Sequence, residues 1–425
     1  MKKGFGGRAL KPAFRKGNII NPHINMVNVH LENAPFVLTR MLDELKNLNI
    51  NFYNIESDFI MGNVSEVEIK FFFENLNGNV TIDKVKSALQ NISKQVKVEP
   101  TPLVPNFPIK LSELDDMGIN LQSPSDGLNQ DHPGFKDKIY RERRDFIGRS
   151  SVDYKMLSEI PRIDYTQPET ELWKHIYANL KPLLNAHANS EYVENFATLE
   201  KDGIFSLNKV PQLDDINKYL NAKTNWRVKP VNGILSQREY LNCLAYRTFP
   251  STQYLRHHSK PFYTPEPDIV HEFIGHIPNF CDPVFCDVSQ QLGLLSLGAS
   301  DRVVKLIGAV YWFTVEFGAC KQNNEMKFYG SGIASSVDEV HNFLNSKDIR
   351  PLDLQTEYPP VDFVVQDVQP FYYSINRFDE YLEQLKLLGH QMNKIFKYTM
   401  DKEAKFLFVD RKIEVVHEKH QSPAY

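Results

Sequence analysis

The chain has 425 residues, of which 42% are hydrophobic and 24% charged, ordinary globular usage with enough apolar side chains for more than one core. Lys and Arg number 49 against 53 Asp and Glu, a formal net charge of -4, which argues against a dedicated nucleic-acid binder. Cys243, Cys281, Cys286 and Cys320 form no CxxC pair, so neither a disulfide framework nor a structural zinc site is indicated and a reducing, cytoplasmic setting fits best. No apolar run reaches the roughly 18 residues of a membrane span, and the N-terminus lacks a secretory core, so no membrane partner is expected.

Residues 1–22 open with Lys2, Lys3, Arg8, Lys11, Arg15 and Lys16 and no acid in the first sixteen, the composition of a flexible basic tail. Val27, Val29 and Leu31 then alternate with polar residues as in a half-buried strand, and Val37, Leu38, Met41, Leu42, Leu45 and Leu48 recur at helical spacing. Ile50, Phe52 and Ile55 suggest a second strand, Val67, Ile69, Phe71 and Phe73 a third. Ile82, Val85, Leu89 and Ile92 form a helical stripe behind a Thr81 cap, and Gln95 to Val98 can be a last strand. The order over residues 23–100 is βαββαβ, the ferredoxin-like arrangement.

Pro100, Pro102, Pro105 and Pro108 followed by a polar stretch predict an extended linker over residues 101–130. Beyond it, helical patterns over 169–184, 214–220, 267–274, 301–320, 337–344 and 377–399 predict a mainly α-helical domain at residues 131–402, making the whole chain α+β. In residues 403–425, Phe406 to Val409 and Lys412 to Val416 read as the strands of a β-hairpin arm turned at Asp410-Arg411. Only a short tail containing Pro423 follows, too short for two heptads of coiled coil.

The run from Thr264 to His276, TPEPDIVHEFIGH, is the most informative. His271 and His276 are five apart, about 140° on a regular helix, so the helix must end or distort near Gly275, and Pro278 favours an end. Glu316 lies in an almost wholly apolar helical stretch, AVYWFTVEFG, where an ionised carboxylate is costly unless paired or metal-bound. Two imidazoles and a carboxylate can hold one face of an octahedral iron(II) and leave three positions open. The same residues can also be core histidines with Glu316 paired to an arginine, and the geometry permits zinc.

The chain resembles the pterin-dependent aromatic amino acid hydroxylases. The resemblance rests on Asp131 to Asp137 (DHPGFKD), Tyr140-Arg141, Thr252-Gln253-Tyr254, Arg256-His257, Thr264 to His276, Tyr311 to Gly318 and Gln369-Pro370. It implies a monooxygenase that hydroxylates L-phenylalanine to L-tyrosine with O2, non-haem Fe(II) and tetrahydrobiopterin or a related tetrahydropterin. By the same resemblance His271, His276 and Glu316 are the metal ligands. Arg256, oriented by Asp268, is implied to hold the substrate carboxylate, with Thr264, Gly332 and Ser335 around the substrate and Trp312 against its ring. Gly233, Leu235 and Tyr240 are implied to contact the pterin, Tyr240 standing where the family commonly has Phe and Gln237 where serine is usual. Glu272 and Tyr311 are implied to be catalytic residues beside the cofactor. Val365 stands where tyrosine-specific members carry an acid, which favours phenylalanine, with tryptophan as the second substrate.

Residues 23–100 resemble the regulatory ACT domain of animal members, with Ile55-Glu56-Ser57 in its signature. Phe36 stands where glycine is usual and would fill the space an amino acid needs, and Asp58 replaces an arginine, so activation by phenylalanine is expected to be weak. The terminal arm is expected to make a homodimer. The readings from other classes are a zinc hydrolase built on the same residues with Glu272 as base, and a non-catalytic amino-acid sensor.

Overall fold

The computed structural model describes residues 19–20, 24–32, 35–48, 50–60, 63–74, 81–98, 103–118, 125, 128, 130–365, 367–392 and 394–416. The chain divides into two compact units, one of Met1–Phe107, Lys394–Met400 and Leu407–His420, the other of Pro108–Asn393, Asp401–Phe406 and Gln421–Tyr425.

In the first unit the strands Ile24–Glu32, Asn51–Ile60, Asn63–Glu74 and Ser93–Val98 alternate with the helices Val37–Leu45 and Ile82–Leu89 in the order βαββαβ. The sheet is antiparallel and runs second, third, first, fourth. Its period-two pattern works as the sequence implies: Val27 pairs with Phe71 and Val29 with Ile69, and these side chains are buried with Met41, Leu45, Val85 and Leu89 from the helices. Phe72 points the other way and is also fully buried, with the Arg411 guanidinium 4.7 Å above its ring. Thr81 caps the second helix by accepting from the Lys84 amide.

Phe36 departs from expectation. It takes a left-handed backbone, φ 63° and ψ 18°, at the start of the helix Val37–Leu45, and its ring is 80% exposed instead of filling a space beside the backbone. A bulky residue there is strained where glycine would be relaxed. The side chain of Asp58 lies outside the described residues, as do residues 1–18 and 417–425.

Three expectations about the chain's ends and linker change. Ile19–Ile20, assigned to the basic tail, is a strand antiparallel to Ile413–Glu414. Leu103–Pro105, assigned to the linker, is a strand parallel to Glu414–Val416, and a 3-10 helix at Leu111–Asp116 buries Leu111 and Leu114. The hairpin between Phe406–Val409 and Lys412–Val416 does not form. Leu407–Val409 instead pairs with Tyr398–Met400, and Asp410 accepts from the Lys397 amide at 2.8 Å, closing the 397–410 loop rather than a 410–411 turn. In Ile413–Val416 the alternate residues Ile413 and Val415 are buried, as is Val104, which pairs with Val415.

The second unit is built on helices, among them Lys138–Arg149, Gln167–His187, Ser190–Lys201, Leu213–Thr224, Gln237–Ala245, Pro283–Ser296, Asp301–Tyr311, Val337–Asn345 and Phe378–Gln391. Thr166 and Glu169 form a reciprocal capping box at the start of Gln167–His187. The core is aromatic: Trp173, Tyr177, Tyr192, Phe196, Trp226, Phe249, Phe280 and Phe285 are buried together. Helices Gln237–Ala245 and Pro283–Ser296 touch through Gly293, where a Cβ would lie 2.1 Å from the Ala245 amide nitrogen. Only glycine permits that approach.

Two helices end earlier than their apolar patterns suggest. The one starting at Asp301 stops before Gly318–Gln322, a strand held between Glu325–Phe328 and Tyr372–Ile375. At Gly318 any Cβ would lie 2.2 Å from the Thr314 carbonyl oxygen, so the chain leaves the helix at a position only glycine can take. The helix from Phe378 ends at Gln391, and Thr399 lies in the strand Tyr398–Met400.

Candidate metal centre and active-site cavity

His271 and His276 meet because the helix changes its winding. After Ile269 and Val270 the chain enters a π-helical segment, His271–His276, and then continues as the α-helix Ile277–Phe280 with Pro278 in its first turn. The helix therefore does not end at Gly275. The wider π turn carries residues five apart to the same side, which removes the 140° separation of an α-helix. Gly275 is needed for this packing, since a Cβ there would lie 2.7 Å from the Ser331 carbonyl oxygen.

Glu316 arrives from a second π segment, Trp312–Glu316, closed by the Phe317 amide donating to the Trp312 carbonyl at 2.9 Å. His271 Nε2 and His276 Nε2 are 3.1 Å apart, and they lie 3.4 and 3.2 Å from the Glu316 oxygens. Ligands about 2.1 Å from one metal are separated by about 3.0 Å at right angles and about 3.4 Å at tetrahedral angles, so the three donors fit one ion in either geometry. Each imidazole is also tethered through its other nitrogen: Nδ1 of His271 is 3.0 Å from the Ser335 hydroxyl and Nδ1 of His276 is 3.0 Å from the Ser331 hydroxyl. Those bonds leave both Nε2 atoms facing the Glu316 carboxylate, the arrangement that orients metal-binding histidines.

The electrostatics agree with a cation site. Burial lowers the His271 imidazole to about 4, keeping it neutral. Burial pushes Glu316 up, but the two imidazoles and its hydrogen bonds, one of them from Tyr311, overcome this and bring it down to about 2. Burial drives Glu272 well above the usual carboxylate range, against the hydrogen bonds from the Thr252 amide and hydroxyl, both at 3.1 Å. The two bonds from Thr252 fix the Glu272 carboxyl group in place.

These residues line one cavity. Gly233, Leu235, Tyr240, Arg256, Thr264, His271, Glu272, His276, Tyr311, Trp312, Glu316, Gly332 and Ser335 all reach it, as does Val365. Of the site residues expected from the sequence, Asp268 alone is not on the wall; it stands behind Arg256 with both side chains 1% exposed. The Tyr240 hydroxyl is 2.5 Å from that of Tyr311, so the extra oxygen at position 240 is used to join the two aromatic walls. Gln237 packs over Gly308, where a Cβ would meet its amide nitrogen at 1.7 Å.

Arg256 and Ser335 are each engaged within the protein. The paired donors of Arg256 are spent on Asp268 rather than left for a ligand, and both Nη1 hydrogens go to the Pro261 and Ser335 carbonyls at 3.3 and 3.1 Å. One Nη2 hydrogen remains, so this arginine offers a charge and a single donor. Ser335 is occupied twice, by Arg256 at its carbonyl and by His271 at its hydroxyl.

Sequence reasoning missed Glu266, Glu339 and Asp367, which also line the cavity. Glu266 sits between two prolines of the quoted run, and Arg144 donates to both its oxygens, at 2.7 Å through Nη2. Glu339 reads in sequence as an ordinary first-turn acid, with no signal to set it apart. A second grouping of metal-type side chains, Asp137, His257 and His258, lies off this wall, and both His257 nitrogens already face Asp137 and Ser259.

Residues 105–422 match the model of a family described as biopterin-dependent aromatic amino acid hydroxylase. Phenylalanine-4-hydroxylase of Dictyostelium discoideum is 39% identical over 373 residues, covering 84% of this chain and 82% of that one. Tyrosine 3-monooxygenase of Rattus norvegicus is 39% identical over 318 residues, covering 74% of this chain and 63% of that one. Among solved structures, phenylalanine hydroxylase of Chromobacterium violaceum with bound iron(III) and 7,8-dihydrobiopterin gives a TM-score of 0.49 at 27% identity, covering 54% of this chain and 83% of that one. The readings as a zinc hydrolase or a non-catalytic sensor fall with the family match. The chain belongs to the biopterin-dependent aromatic amino acid hydroxylases.

Proposed function

We propose that this chain hydroxylates L-phenylalanine to L-tyrosine, using O2, an iron(II) held by His271, His276 and Glu316, and tetrahydrobiopterin or a related tetrahydropterin. The observation that carries the reading is the convergence of the three donors, with 3.1 to 3.4 Å edges, on a cavity also lined by Trp312 and Val365. An apolar Val365 in that wall gives a substrate hydroxyl no partner, which supports phenylalanine over tyrosine.

When bound, the metal and the reduced pterin supply the oxygen chemistry. The chain's own residues do the rest. Arg256, fixed by Asp268, presents its charge and one N–H to the substrate carboxylate, with Thr264 and Gly332 beside it. Trp312 packs against the substrate ring. Gly233, Leu235 and Tyr240 form the pterin wall, while Glu272 and Tyr311 present a carboxyl group and a phenol near the cofactor. The surrounding apolar walls exclude water from the reacting atoms.

Residues 23–100 are proposed to be an ACT-type regulatory domain, supported by its strand order. The strained, outward Phe36 supports a weak response to phenylalanine, so preincubation with it should change the rate little. The four buried, unpaired thiols support a cytoplasmic location, and no helix among the described residues is long and apolar enough to cross a membrane. A homodimer through the chain's end is supported by the exposed Phe408 ring, not by a hairpin, and light scattering reads it.

The reading is tested with iron-loaded protein and tetrahydrobiopterin, supplying phenylalanine, tryptophan and tyrosine in turn. Tyrosine formed from phenylalanine at the highest kcat/KM supports it. Faster hydroxylation of either other amino acid would replace phenylalanine as the substrate.

A further inference from the structure

Gln369 lies outside the cavity and is 3% exposed, yet each of its polar atoms is engaged, and by three separate parts of the chain. Its Oε1 accepts from the Trp312 indole at 3.1 Å. Its Nε2 donates to the Val364 carbonyl at 2.8 Å and reaches the Asp367 carbonyl at 3.5 Å. Its backbone amide donates to Glu339 Oε1 at 3.1 Å, and its carbonyl accepts from Asn342 at 2.7 Å. Glu339 is itself fixed by the Tyr372 hydroxyl at 2.5 Å, and Phe363 stacks on Trp312 with ring centres 4.5 Å apart.

We infer that Gln369 is a specificity-determining positioning residue: its side-chain amide ties Trp312 to the Val364–Val365 backbone and so sets the width of the slot that receives the substrate ring. The inference rests on the substrate reading above. A buried amide with every donor and acceptor used has one orientation, and its two ends hold two cavity-lining parts of the chain together, the Trp312 indole and, through the Val364 carbonyl, the strip carrying Val365. Phe363 and Phe317 pack on the Trp312 ring but leave its N–H to Gln369, and the described residues 363–365 and 367 belong to no strand. Glu339 and Asn342, both on the helix Val337–Asn345, fix the backbone of Gln369 to that helix, so the bridge is anchored to a rigid element rather than to a loop alone. A slot of fixed width separates a six-membered ring from a bicyclic indole by fit, which is worth about 10- to 200-fold when one methylene-sized step decides.

The experiment compares kcat/KM for phenylalanine and for tryptophan in wild type, Gln369→Leu and Gln369→Glu. Leu removes both grips. Glu keeps an acceptor for Trp312 but replaces the donor to Val364. The expected result is a fall of about tenfold in the phenylalanine-to-tryptophan ratio for Leu, through a raised KM for phenylalanine, and a smaller fall for Glu. Iron stoichiometry and the calorimetric affinity for dihydrobiopterin should stay at wild-type values. If Leu does not fold, a fall in the ratio for Glu carries the inference. In a Trp312→Phe background, which has no indole N–H, the effect of Gln369→Leu on the ratio should shrink to a few-fold. Equal losses for both substrates, leaving the ratio at its wild-type value, would overturn the inference, as would an undiminished effect in the Trp312→Phe background. Wild-type protein that fails to hydroxylate phenylalanine at all would instead overturn the substrate reading on which it rests.

Discussion

Arg256 and Asp268 form a buried bidentate pair: Nε and Nη2 donate to Oδ2 and Oδ1 at 3.0 and 2.8 Å, and the Arg256 backbone amide adds a third bond to Oδ2 at 2.7 Å. Asp268 also accepts from the His271 amide at 3.0 Å, so one carboxylate orients the Arg256 charge at the cavity wall and starts the turn that carries His271. Asp268→Ala should therefore cost about 3 to 5 kcal/mol in chemical denaturation, because it leaves a buried guanidinium without its counter-charge. It should also raise the KM for phenylalanine at least tenfold. A variant with wild-type stability and KM would remove Asp268 from both roles.

Glu266 gives a pH prediction. Burial pushes its carboxyl up, but the Arg144 guanidinium more than reverses this and holds it below the ordinary carboxylate range. A lowered folded-state pKa means the stabilisation is present above the unfolded value of about 4.5 and is lost as pH falls through the folded value. Glu266→Gln should lower Tm at pH 7 and flatten the acid side of the Tm-against-pH curve relative to wild type. Parallel curves would show that this pair does not set acid stability.

Gly293 tests the helix contact behind the cavity. Gly293→Ala places a methyl group 2.1 Å from the Ala245 backbone nitrogen and 2.7 Å from the Leu241 carbonyl oxygen. Backbone cannot swing aside as a side chain can, so the helices must separate, at a cost of about 1 to 3 kcal/mol. The check is thermal unfolding of the single variant, and an unchanged Tm would mean that the helices separate freely.

The first unit was legible because its strands and helices each follow one clean period: Val27, Val29 and Leu31 alternate, and Val85 and Leu89 share a helix face. The second unit was less so. Pro283–Ser296 has a narrow polar face of Asp287, Gln290 and Gln291 against a wide buried one, so its contrast is weak, while Lys138–Arg149 is dominated by charges that hide its few buried positions. The hairpin was misread because two short apolar runs flank a turn-like Asp410-Arg411. Their true partners, Tyr398–Met400 for one and Leu103–Pro105 with Ile19–Ile20 for the other, are long-range choices that local pattern does not encode. In the site, the identities of His271, His276 and Glu316 could be read from the chain. The five-residue histidine spacing already required a distortion near Gly275, but that it is a π segment, and that a second one lies at Trp312–Glu316, could not be read, since a winding change of one residue leaves no compositional mark. Arg256 and its partner Asp268 were legible through the family resemblance, but the Pro261 and Ser335 carbonyls that take its Nη1 hydrogens were not.

The central claim is that His271, His276 and Glu316 hold the iron that makes this chain a phenylalanine hydroxylase. The most direct measurement is a single turnover: iron-loaded protein with phenylalanine and excess tetrahydrobiopterin is prepared without oxygen, oxygen is admitted, and tyrosine is counted against bound iron for wild type and Glu316→Ala. The account predicts about one tyrosine per iron in a fast phase for wild type, and loss of stable iron together with tyrosine for the variant, because two protein ligands make an inadequate facial set. Full iron binding and wild-type tyrosine yield in Glu316→Ala, or no tyrosine from iron-loaded wild type, would contradict it.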